Sequence, residues 1–425
     1  MNMSKKILNI SYMLIGIAIL NMAYLFFNYA DEFPYIDEWN FVPVKDFSIG
    51  YLFRFSNENM QFFTNGIFAI VEKAGLKWQA NLFFETVVYL LMIYTLFRII
   101  SKDIKGWNKV LLVLLFLQFF SYYSLEVLLW TVLSQTWFYF LFMFLSVHYG
   151  FDCNVNEKKT VLAFVFIICD ILAMNVSFAM VFTLLYIMKC IYNAKILQER
   201  KRAYMASAIS FEVMLVVIAC FWFVMRKGDS TSIDLSIVFN KDFYVWLGYL
   251  MFAPAFGLWL PVDNRILILF VFICMTCWMG VLFFRQVKDV KKQKIWALLL
   301  VVTGGCVALT LFRQEHVMTL LQYSSRYIIY GVVLSVLLYV VGAIDENIWV
   351  RRINNGIGLI MLVCMLSNFF NAAFFERVAH NKIGDDCIKA YYALEKRPQE
   401  YYCMRKYWWN IAHKLDDFEK IYLNR

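Results

Sequence analysis

Eleven stretches of apolar sequence, each about the length needed to cross a bilayer, recur along this chain. They fall at about 7–29, 80–100, 108–124, 127–147, 160–174, 177–192, 203–225, 265–284, 295–312, 326–344 and 354–374. A helix needs about 20 predominantly apolar residues to span the hydrocarbon core. Only helices and closed barrels satisfy every backbone N–H and C=O there. The pattern predicts an all-α polytopic membrane protein with about 11 transmembrane helices. Composition agrees: 62% of residues are hydrophobic and 17% charged, against roughly 45–50% and 25% in soluble domains. With 5 prolines, 17 glycines and no charge-rich tract, disordered, collagenous and nucleic-acid-binding classes are disfavoured. The net charge of +9 follows from topology alone, because Lys and Arg collect in cytoplasmic loops.

The first run follows Lys5 and Lys6. It is longer than the ~7–15 apolar residues of a secretory signal and lacks a small-x-small cleavage site, so it reads as the first helix. A further run, Phe243 to Leu260, is interrupted by Pro254 and Gly257 and stops at Pro261. Charge decides its status. With the amino terminus cytoplasmic, the inside loops hold Arg98, Lys102, Lys105 and Lys109, then Lys158 and Lys159, then Lys195, Arg200, Lys201 and Arg202. Were Phe243–Leu260 to cross, the densest basic loop (Arg285, Lys288, Lys291, Lys292, Lys294) would face outward, against the positive-inside bias. Residues 243–262 are therefore expected to be re-entrant or interfacial, and the carboxyl terminus outside. The resulting division is a transmembrane domain over 1–375, with a first outer loop at 30–79 carrying interfacial helices, and a small outer helical tail at 376–425. No internal repeat is visible, which weakens an inverted-repeat transporter reading.

Polar residues beyond the needs of loop solubility gather on the outer face. The first loop opens Asp31-Glu32-Phe33-Pro34-Tyr35-Ile36-Asp37-Glu38-Trp39-Asn40. A carboxylate at Asp37 or Glu38, just past the membrane edge, suits a general base or a sugar contact, and Trp39 suits stacking on a sugar. A solvated acidic loop explains the same acids. Further on, Arg54-Phe55-Ser56-Asn57-Glu58-Asn59-Met60-Gln61 precedes an amphipathic stretch. Asn57 and Glu58 suit sugar hydroxyls and Arg54 a phosphate, while helix-capping polar groups are the alternative. The third place is Arg313-Gln314-Glu315-His316, followed by Ser324-Ser325-Arg326-Tyr327. Arg313, His316 and Arg326 across a short loop could hold a lipid phosphate, or act as snorkelling anchors. Trp130 and Gln135 beside Glu126 offer an aromatic and an amide to a sugar, or simply pack. Glu85, Asp170 and Glu212 lie near span ends and read as interface acids, although an intramembrane acid is a functional candidate by default. Ten cysteines are present, scattered mostly inside apolar runs, with no two CxxC motifs to pair and no His at ligand spacing, so a metal site is poorly supported. Cys387 and Cys403 either pair in an oxidising compartment or stay reduced.

The acidic Asp37-Glu38-Trp39, the Asn57-Glu58-Asn59-Met60-Gln61 cluster and Ser325-Arg326-Tyr327 near the penultimate helix resemble the bacterial polytopic glycosyltransferases of the GT-C class. They are most similar to the O-antigen-modifying glucosyltransferases and their membrane relatives. Where that group often has His-Asn-Glu-His-Arg, this chain has Ser56-Asn57-Glu58-Asn59-Met60, lacking both histidines and the arginine. The resemblance implies a polyprenyl-phosphate sugar donor and a cell-surface glycan or lipid-linked acceptor. The work would be done at the outer face of the bacterial cytoplasmic membrane. Asp37 or Glu38 would be the base, and arginines would hold the departing lipid phosphate. It implies no cofactor and no essential metal, while leaving room for a divalent ion between Asp37 and a donor phosphate. Fixed cations can meet the charge of such a leaving group, and no GxGxxG or P-loop pattern is present. An O-antigen or capsule polymerase and a flippase of lipid-linked sugar are the alternatives.

Overall fold

The computed structural model describes residues 3–29, 48–53, 55–56, 59–60, 62–122, 128, 134–152, 157–173, 176–196, 201–225, 235–256, 264–313 and 327–367. Its elements are α1 (Met3–Tyr29), α2 (Ile49–Leu52), β1 (Phe55–Ser56), β2 (Asn59–Met60), α3 (Phe62–Lys73), α4 (Ala80–Ile100), and α5 (Gly106–Leu115), which tightens into a 3-10 turn over Phe116–Phe120. Then come α6 (Ser134–Gly150), α7 (Glu157–Leu172), α8 (Val176–Ile196), α9 (Lys201–Met225) and α10 (Lys241–Phe256). The last are α11 (Arg265–Gln286), α12 (Gln293–Arg313), α13 (Ile328–Ala343) and α14 (Ile348–Ser367). Every apolar run carries a helix. Six described segments are long and apolar enough to cross a membrane: Lys5–Asn28, Ala80–Ile100, Val176–Lys195, Arg265–Gln286, Gln293–Leu311 and Ile348–Ser367. In the first-loop region, where interfacial helices were expected, the described residues also form a two-stranded antiparallel pair, with Phe55 opposite Met60 and Ser56 opposite Asn59.

The outside of the bundle is as apolar as its inside. Leu20, Phe27, Phe270, Phe284, Val216 and Val363 are all more than three-fifths exposed. Only 17% of the apolar window in α11 is buried by protein. Water would penalise such a surface by roughly 25 cal/mol per Å², whereas lipid does not. At the opposite extreme stands α13, in which all 16 residues are buried. It is walled by α5, α10, α11, α12 and α14. A helix apolar on every side belongs at the centre of a bundle.

Small residues set the closest helix approaches, as is usual where lipid removes the hydrophobic drive for helix association. A Cβ built on Gly305 of α12 would sit 2.0 Å from Phe178 Cε1 of α8. One on Gly331 of α13 would sit 2.5 Å from Pro254 Cγ and 2.7 Å from the Leu250 carbonyl oxygen of α10. Bringing Pro254 beside Gly331 lets α10 keep its internal proline against the central helix.

Helices α10 and α11 start at the same end of the bundle and run side by side in one direction. Asp242 in the first turn of α10 pairs with Arg265 in the first turn of α11 at 3.0 Å. Six residues further along α10 and seven along α11, Gly248 lies against the Phe272 ring. Asn264 caps α11 by accepting from Leu267 N–H at 3.0 Å.

Most described cations gather at one end. There the α11–α12 and α13–α14 turns interlock through Asp345, whose carboxylate accepts from Arg285 Nη2 at 3.1 Å and Nε at 3.3 Å. It also accepts from Gln286 Nε2 at 2.9 Å and the Asn347 backbone N–H at 2.9 Å. Gln286 in turn accepts from Trp296 Nε1 at 3.1 Å. Burial alone would raise the Asp345 pKa, but these donors and the Arg285 charge outweigh it and hold the carboxyl below the ordinary aspartate value. On the same end, Lys189 donates to the Gly150 and Asp152 carbonyls at 2.7 and 2.9 Å, closing the turn after α6.

Candidate functional site

At the opposite end, buried polar side chains from five helices, α3, α4, α6, α7 and α13, form a layer inside an otherwise apolar bundle. The first two turns of α6 supply most of it. Ser134 shares a 2.8 Å hydrogen bond with Thr64 of α3. Gln135 Nε2 donates to the Ala173 carbonyl just past α7 at 2.6 Å. Trp137 Nε1 donates to Glu85 Oε1 of α4 at 2.8 Å, and the Tyr139 and Tyr330 hydroxyls of α6 and α13 lie 2.9 Å apart. Tyr89 stacks edge-on to Trp137 at 4.8 Å and donates to the Phe119 carbonyl. Phe140 and Phe178 close around Tyr330 at centroid distances of 5.0 and 5.7 Å.

Local sequence explains why these groups point inward. On α4 the buried positions include Leu82, Glu85, Tyr89, Met92 and Leu96, a stripe with helical i, i+3, i+4 spacing, so Glu85 is carried inside by its neighbours. On α7 the buried set is Ala163, Ile167, Asp170 and Ile171, and Asp170 shares that face. Both acids are completely buried. This corrects their reading as interface acids; Glu212, by contrast, is exposed on α9. Glu85 is satisfied in part by Trp137. Neither oxygen of Asp170 has a hydrogen-bond partner among the described residues.

Of the residues singled out from sequence, Gln135 is described in full and lies in this layer, its amide N–H committed to the α7 terminus. Arg313 is the last residue of α12; nothing is described of its side chain. Asp37, Glu38, Trp39, Arg54, Asn57, Glu58, Trp130, His316 and Arg326 lie outside the described residues, as do Cys387, Cys403 and the tail at 376–425. Among the described residues, no group of three His, Cys, Asp or Glu side chains could hold a metal ion.

Sequence reasoning passed over Thr64, Tyr139 and Tyr330, and ranked Glu85 and Asp170 low. The stripes on α4 and α7 were the available signal for the two acids, since each falls where the helical period demands an apolar residue. No protein-family model matches the chain, and neither does any curated protein or solved structure.

Proposed function

We propose that this protein is a GT-C-like glycosyltransferase of the bacterial cytoplasmic membrane. It would move a sugar from a polyprenyl-phosphate donor to a cell-surface glycan or lipid acceptor at the outer face. The supporting observation is convergence: the buried polar layer of Thr64, Glu85, Gln135, Tyr139 and Tyr330 lies at the end of the bundle where α12 ends at Arg313 and α13 starts at Ile328. The basic loops collect at the other end. In this reading the chain crosses eleven times with α10 re-entrant, in keeping with the shared starting end of α10 and α11. The amino terminus is cytoplasmic and the carboxyl terminus outside.

In the transfer, the acceptor oxygen bonds to the sugar C1 as the bond from C1 to the donor phosphate oxygen breaks. The acceptor proton passes to Asp37, with Glu38 the other candidate, and the phosphate keeps the electron pair. Arg313, Arg326, His316 and Arg54 meet that charge as fixed cations, while Glu58, Asn57, Trp39 and Trp130 contact sugar or acceptor. Gln135 fastens α6 to the end of α7. The fully buried Asp170 favours one other reading, a proton-driven flippase of lipid-linked sugar.

The test offers purified protein in lipid a panel of radiolabelled polyprenyl-phosphate sugars beside an Asp37→Asn variant. Turnover with release of lipid phosphate, lost in the variant, is expected. Labelled lipid crossing the bilayer without turnover would sink the transferase reading in favour of the flippase.

A further inference from the structure

Among the described residues, Asp170 is a fully buried acid with neither oxygen partnered. It sits in the last turn of α7, with no exposed surface. Among the described residues neither carboxyl oxygen has a hydrogen-bond partner, and no cation acts on it. An ionised carboxylate in that setting has nothing to replace its lost water. The cost of burying one unpaired is so large that such groups neutralise instead. A ligand larger than a proton would need space and donors beside a carboxyl that has no exposed surface.

The surroundings are hydroxyl-rich, not charged. On α6, Tyr139 is within electrostatic reach of Asp170, and its hydroxyl also bonds Thr136 and Tyr330. On α7 itself the neighbour is Cys169. Helix α8 presents Phe178 and Ala179 at this level, neither of them titratable. From α12 and α13, Cys306, Tyr327 and Tyr330 interact within the same cluster. Tyr327 directly precedes α13 at the polar end of the bundle. The hydroxyls of Tyr139 and Tyr330, 2.9 Å apart with either able to donate, thus lead from the neighbourhood of Asp170 towards that end.

From this arrangement we infer that Asp170 is a proton-binding site, a carboxylic acid that holds its proton within the helix bundle and exchanges it by way of Tyr139 and Tyr330. The inference stands apart from the transferase reading, since a transferase and a flippase could each house such a site. It is tested without turnover. Infrared difference spectra of the full-length protein in lipid at neutral pH are compared between the native chain and Asp170→Asn, with Glu85→Gln as the control for the other buried acid.

The expected result is a protonated-carboxyl C=O stretch lost in Asp170→Asn and kept in Glu85→Gln. In heavy water the band shifts as the proton exchanges, and Tyr139→Phe slows that shift by about a hundredfold, the low end of what one positioned proton carrier contributes. A spectrum in which Asp170→Asn removes only carboxylate bands, or in which adding Na⁺ abolishes the C=O band, overturns the site. An unchanged exchange rate in Tyr139→Phe overturns the route. Asparagine is close to isosteric with aspartic acid and Tyr139→Phe keeps the ring, so a native-like melt in detergent verifies that each variant is folded.

Discussion

Replacing Gly305 by alanine tests the packing that underlies the polar layer. The new Cβ would stand 2.0 Å from Phe178 Cε1 and 2.8 Å from Cδ1. Carbon atoms rest about 3.5–4.0 Å apart, so α8 or the Phe178 ring must retreat by roughly 1.5 Å. The ring cannot swing freely. It is fully buried and held against Tyr139, Phe140 and Tyr330 at 5.6, 5.4 and 5.7 Å. Overpacking of this kind costs about 1–3 kcal/mol, against a gain of about 0.8–1 kcal/mol for exchanging Gly for Ala within a helix. Gly280, on lipid-facing α11, is the control, because nothing lies within 4 Å of its added Cβ. In thermal melts of purified protein in detergent, Gly280→Ala should match or exceed the native midpoint while Gly305→Ala falls below it. Adding Phe178→Leu to Gly305→Ala should recover part of the loss. Equal midpoints for the two alanine variants would refute the α8–α12 contact as drawn here.

Glu85→Ala strands the Trp137 N–H, and an unsatisfied buried donor costs about 1–3 kcal/mol; Glu85→Gln keeps an acceptor, so it should melt nearer the native chain, with Trp137 fluorescence shifted more by alanine than by glutamine. Asp345 is held below its ordinary pKa, so its contribution is present above the unfolded aspartate value and is lost as pH falls through the lower, folded one. The native melt should therefore decline across that acidic window, and Asp345→Asn should start lower and lose less there. The Asp242–Arg265 pair is different in kind. Arg265 is 61% exposed, so Arg265→Ala should change stability by no more than about 1 kcal/mol in chemical denaturation, a larger drop showing that the pair locks α10 to α11.

Hydropathy was enough to locate the helices, because a bilayer demands long apolar segments wherever they sit in the fold. Their ends needed side-chain detail. The last helix starts at Ile348, not near 354, because Asn347 accepts from the Trp349 and Val350 N–H groups at 2.8 and 3.4 Å, fixing the first turn. Interior placement was harder to read. In sequence Gln135 reads as a sugar contact or a packing residue, yet its N–H spans to Ala173, a partner 38 residues away that no local pattern announces. Glu85 and Asp170 look like interface acids when only distance from the span end is considered. The helical stripes that carry them inward are visible in sequence, but which stripe faces protein and which faces lipid depends on neighbours brought together from elsewhere in the chain.

The wholly enclosed α13 bears on how the protein is put together. As it leaves the ribosome this segment is apolar enough to partition into lipid, yet in the finished fold no side of it is left uncovered. Its walls come from both directions along the chain, with α5, α10, α11 and α12 made before it and α14 after. Assembly therefore cannot finish helix by helix in order of synthesis. The earlier helices must leave a slot for α13. That slot is sealed only when α14 arrives, bringing Asn354 to the Tyr339 carbonyl and Asn355 to the Tyr339 hydroxyl. A nascent chain halted after Ala343 would hold its most apolar helix in an open-sided groove, the state in which a chaperone of membrane insertion would find it.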